Sequence, residues 1–92
     1  MSHLSQEELN ARIDTAKQQV EIGAFYIHYK SPENRYLVKD IGLLEESDAP
    51  CIIYQSQSGE TGVVWVRSLD DFCATVEVNG ESVKRFIKLD RV

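Results

Sequence analysis

Long apolar runs are missing from this 92-residue sequence. None approaches the roughly 20 residues that cross a bilayer, which excludes a membrane-spanning helix. The first residues, Met1 to Glu8, lack the basic and apolar regions of a secretory signal. Cytoplasmic is therefore the expected compartment. Basic charge is also short: the net charge is −5 and the pI about 4.9. Phosphate backbones are gripped by Lys and Arg that displace counterions, so nucleic acid is disfavoured as a partner. The one local surplus, Lys84, Arg85, Lys88 and Arg91 against Asp90, reads as a solvated strand face. Cysteine is scarce. Cys51 and Cys73 stand 22 residues apart, with no second Cys pair or nearby His at metal-ligand spacing. Each sits in an apolar run, where a free thiol behaves as a small hydrophobe.

Catalytic signatures are absent too. There is no Gly-rich phosphate loop, no metal-binding cluster and no pair of acids in apolar surroundings. His3 lies in a terminal segment, and His28 would need a Ser or Cys beside it to make a nucleophile–base pair. An enzyme, a metal and a cofactor are not expected.

What is present organises around Val63–Phe72. This stretch holds the sole Trp, a β-branched strand, and a Leu69-Asp70-Asp71-Phe72 turn that suits a short helix. Leu69 and Phe72, three apart, would point together into a core. Trp65 and Arg67, two apart, share a strand face.

Earlier in the chain, Ser5 with Glu8 forms a capping box. Leu9, Ile13, Ala16 and Val20 then recur on one helical face, and Gly23 supplies a stop. The spacing predicts a helix over Gln6–Ile22. Its narrow stripe needs a partner, either the domain's own sheet or the same helix in a second subunit. From Gly23 the period falls to two. Phe25, Ile27 and Tyr29 alternate with Tyr26, His28 and Lys30. Ser31–Asn34 reads as a turn, Arg35–Ile41 as a second strand and Gly42 as a bulge or bend. Cys51–Gln55 and Val63–Arg67 read as further strands, separated by a turn over Gln55–Gly62.

Asn79-Gly80 is the favoured pair for a two-residue type I′ hairpin turn, and it sets Val76 opposite Val83. On the return strand, Val83, Ile87 and Leu89 share parity with Arg85. Either Arg85 points inward with a partner or a bulge shifts the register. One helix followed by five or six short strands predicts a mainly β fold: a small, SH3-like, partly open antiparallel barrel. Residues 1–22 would form a helical segment packed on a barrel of residues 23–92.

These residues resemble a family of small bacterial proteins catalogued as domain of unknown function 1653. The likeness runs from Gly23 to about Ile87. It is carried by Tyr26, His28, Tyr29 and Lys30; by Tyr36 and Val38; and by Ile52, Ile53 and Tyr54. Trp65, Val66, Arg67 and Phe72 follow, then Val76, Gly80, Arg85 and Phe86. The chain departs from the family pattern at Ser31, Ser68, Asp71 and Lys84. The resemblance implies an SH3-like barrel and no activity.

Tyr26, His28 and Lys30 share one strand face, and Trp65 and Arg67 another. Should the faces adjoin, they make an aromatic patch with cations at its edge, able to stack a flat ligand and hold a carboxylate or phosphate. The plainer alternative has His28 and Arg67 bonding loop carbonyls and Asp70 or Asp71, with Trp65 in the core. The expectation is a non-enzymatic binding module presenting Tyr26, His28, Tyr54, Trp65, Arg67 and Arg85 to a peptide or small anionic ligand. It would be a monomer or weak homodimer without membrane contact. A different class of function is assembly through the N-terminal helix.

Overall fold

The computed structural model describes residues 4–58 and 62–89. The first local signal in the chain is Ser5, whose hydroxyl accepts from the Glu8 N–H at 3.2 Å while Glu8 Oε1 accepts from the Ser5 N–H at 3.3 Å. This box opens helix α1, Gln6–Gln19, which is shorter at its end than the periodicity predicts. Val20 is already extended there, and Gly23 takes φ +88°, its N–H donating to the Val38 carbonyl at 2.8 Å. Ala16 and Val20 are fully buried in the core, so the helix docks on this chain's own sheet.

Among the described residues seven strands follow: β1 Phe25–His28, β2 Ser31–Leu43, β3 Pro50–Ser56, β4 Val64–Ser68, β5 Thr75–Val78, β6 Glu81–Lys84 and β7 Phe86–Lys88. A single helical turn, α2 at Leu69–Phe72, sits between β4 and β5. Five strands form one sheet in the order β4-β3-β2-β1-β7, and β5-β6 form a separate hairpin. All the strand pairs are antiparallel. The fold is thus mainly β with one N-terminal helix, and its two sheets do not close into a barrel.

Several boundaries differ from the sequence reading, each for a physical reason. The β1–β2 turn falls at Tyr29-Lys30, with His28 opposite Ser31. Pro32, Glu33 and Asn34 occupy a register shift that gives them no partner on β1, so the donor that proline lacks is not missed there. The bulge in β2 lies at Lys39, between Val38 and Asp40, rather than at Gly42. It reverses the side-chain parity and lets Tyr36 and Val38, then Ile41, all face the core.

The return strand of the hairpin breaks at Arg85. The Arg85 N–H donates to the Ala74 carbonyl at 2.9 Å, and its carbonyl accepts from the Tyr29 N–H at 3.0 Å. Arg85 thereby bridges the two sheets. Beyond it the parity is reset: Phe86 turns inward, 5% exposed, while Ile87, expected inside, faces out at 39%. The Asn79-Gly80 turn and the Val76–Val83 pair lie where the sequence puts them. The central part of the Gln55–Gly62 turn, His3 and Arg91 lie outside the described residues.

Candidate functional site

Ser68 caps α2, its hydroxyl accepting from the Asp71 N–H at 3.1 Å. That turn delivers Leu69 and Phe72 to the core, as their spacing predicts. Phe72 stacks on Phe86, with centroids 4.2 Å apart and planes 3° from parallel. Around this pair stand Tyr54 and Tyr36 from β3 and β2, edge-on to Phe86 at 5.4 and 6.0 Å. Phe86 lies opposite His28 in the β1–β7 ladder, and the imidazole meets its ring edge-on at 5.0 Å. The result is a pavement of rings on the inner side of the sheet.

One end of that pavement is open. There a cleft of about 200 Å³ is lined by His28, Tyr36, Tyr54, Trp65, Arg67 and Phe86. Trp65 stands directly across the ladder from Tyr54, but β4 is the edge strand of its sheet. The indole is therefore 46% exposed, and the alternative that it belongs to the core does not hold. Arg67 is half-buried. Its Nε donates to the Tyr54 hydroxyl at 3.3 Å, and its guanidinium carbon lies 5.4 Å from the Phe86 centroid. Among the described residues Arg67 has no carboxylate partner, Asp70 and Asp71 included.

His28 accepts the Lys30 N–H on Nδ1 at 3.2 Å, so its neutral ring carries the proton on Nε2. Its pKa is lowered from the ordinary value, chiefly because burial disfavours the charged ring, and further by the positive charges of Arg67, Arg85 and Lys30. The cysteines shift in the opposite direction: burial pushes both thiols up. A raised pKa makes each a poor thiolate and a poor nucleophile near neutral pH.

Four of the six residues singled out in the sequence come together here: His28, Tyr54, Trp65 and Arg67. Tyr26 does not line the cleft. It is 5% exposed, packs edge-on to Phe72 at 5.3 Å, and its hydroxyl accepts the Glu21 N–H at 3.1 Å. Arg85 adjoins the site without lining it, and its buried Nε has no hydrogen-bond partner among the described residues. Tyr36 and Phe86 were missed as lining residues. No short stretch of sequence signals either one: the β2 bulge at Lys39 sets Tyr36 on the same face as Ile41, and the break at Arg85 turns Phe86 inward. A separate depression of about 270 Å³ lies between α1 and α2, lined by Ala11, Arg12, Thr15, Pro50 and Leu69. Its one charged group, Arg12, donates to the Asp48 carbonyl at 2.7 Å.

Fold and site together define a class: an open, mainly antiparallel β domain with an N-terminal helix and an aromatic cleft holding a guanidinium. Residues 24–88 match the family described as protein of unknown function (DUF1653), and the chain belongs to that family. It is similar to a protein of the same family from Bordetella bronchiseptica whose crystal structure is known. The two share 25% identity with a TM-score of 0.67, over 82% of this chain and 94% of the other. No curated protein matches the chain.

Proposed function

We propose that the protein is a non-enzymatic binding module whose cleft takes a peptide or a small anionic ligand. The observation that carries this reading is Arg67: a half-buried cation, set on aromatic rings and without a carboxylate among the described residues, in a chain of net charge −5. Acidic side chains are plentiful, yet none among the described residues lines this cleft. Desolvating a guanidinium without an ionic partner has a cost that an incoming anion would offset. The exposed indole beside it supplies a flat apolar surface. Pairing through the N-terminal helix has less support, because Ala16 and Val20 are already buried against the chain's own sheet.

Tryptophan fluorescence and amide chemical-shift mapping against a library of short peptides and small anions test the reading. Ligands should move the Trp65 indole and the residues around Arg67, and Arg67→Ala should weaken binding at least tenfold. Shifts confined to other surfaces, with Trp65 silent, would remove the site.

A further inference from the structure

The cleft's polar groups have an unusual bias. His28 offers Nε2–H, since its other nitrogen is taken by the Lys30 N–H. The Tyr54 oxygen already accepts from Arg67 Nε, which leaves its hydroxyl proton free to donate. Arg67, with Nε engaged, keeps both terminal nitrogens without a partner among the described residues. Among the described residues no Asp or Glu lines the cleft. A pocket furnished mainly with donors selects a ligand rich in acceptors.

The geometry narrows the anion further. The end of a guanidinium presents two parallel N–H groups, a fork that matches the two oxygens of a carboxylate. Phosphate carries about −1.5 to −2 at neutral pH, and would call for more positive charge than the one guanidinium lining this cleft. Phosphate sites also commonly draw on backbone N–H groups at helix starts or in loop nests. This cleft is instead walled by side chains from β1, β2, β3, β4 and β7. Its volume of about 200 Å³ lies below the roughly 300–1,000 Å³ of drug-sized sites, so the occupant is small. The wall opposite the solvent is aromatic, and Trp65 leaves nearly half its surface uncovered beside Arg67.

We propose that this cleft binds a flat aromatic or heteroaromatic ring bearing a single carboxylate, with the ring against Trp65 and the carboxylate on the terminal nitrogens of Arg67. The assignment rests on the anion-binding reading above and names its ligand class. It makes the affinity depend on ring and charge jointly.

The test titrates the full chain with benzoate, indole-3-carboxylate, benzamide, acetate and phenyl phosphate, followed by the Trp65 indole resonance. Indole-3-carboxylate and benzoate should bind at least tenfold more tightly than benzamide, which lacks the charge, or acetate, which lacks the ring. Arg67→Lys keeps the charge and loses the fork; it should weaken indole-3-carboxylate at least tenfold while its amide spectrum stays that of a folded chain. Binding should also move the His28 titration midpoint upward, because an anion beside the ring favours its protonated form. Benzamide or acetate matching benzoate overturns the assignment, as does tenfold tighter binding of phenyl phosphate; both outcomes leave an occupied cleft. Silence of Trp65 toward every probe would instead overturn the anion site itself. The selectivity among probes is read on the wild-type chain, so it stands independently of how any variant folds.

Discussion

Phe86 joins the core to the cleft: one neighbour is the stacked ring of Phe72, another the guanidinium of Arg67. His28 meets the same ring edge-on and is held in one tautomer by the Lys30 N–H. Its lowered pKa has a stability consequence whose sign can be worked out. Unfolded, the imidazole takes a proton near pH 6.5. Folded, it resists protonation to a lower pH because of burial and the adjoining cations. Below about pH 6.5 the unfolded state therefore binds more protons, and stability is lost until the folded ring also protonates. His28→Gln should flatten this component. Urea midpoints for both chains from pH 7.5 to 5 should show wild type losing more than the variant as pH falls. Parallel curves would show that His28 does not contribute.

Among the elements, the β5–β6 hairpin depends least on its surroundings. Asn79 and Gly80 both adopt positive φ, at 52° and 82°, the twist a two-residue turn requires. Nothing lies within 4 Å of a Cβ placed on Gly80, so Gly80→Ala tests backbone conformation alone. It should cost about 1–2 kcal/mol, the left-handed penalty for an L-residue, read as a lower urea midpoint at unchanged slope. The capping box, the α2 turn and this hairpin were legible because each is written in residues within four positions of one another. The break at Arg85 was not. Its cause is a pair of backbone hydrogen bonds, one to Ala74 just before β5 and one to Tyr29 in the β1–β2 turn, neither within a local window of Arg85. The same holds for the ladder shift that accommodates Pro32–Asn34 beside β1.

At the scale of the whole molecule, the helix matters beyond its own length. The matched family region begins at residue 24, yet Ala16 and Val20 are buried in the same core as Val38, Ile52 and Tyr54. Val20 is 1% exposed, and burying one such side chain contributes about 1.5–3 kcal/mol. A chain beginning at Gly23 should therefore unfold at least about 2 kcal/mol more easily in urea. Unchanged stability would mean the helix merely rests on the sheet. Charge is also distributed at this scale. A chain of net −5 gathers Arg67, Arg85 and Lys30 close enough to His28 to act on it, through contributions from β4, the β6–β7 junction and the β1–β2 turn.

The sequence by itself determined the helix, the strand periodicity, the Asn-Gly turn and the candidacy of His28, Tyr54, Trp65 and Arg67, because propensity and side-chain parity act locally. Only the tertiary structure decided that Tyr26 enters the core and that Phe86 and Tyr36 pave the cleft. It also decided that Trp65 stays exposed. Those outcomes depend on which strand ends as the edge, where a bulge reverses parity, and which distant backbone groups pair. Such facts arise when separate segments meet, and no short window of residues contains them.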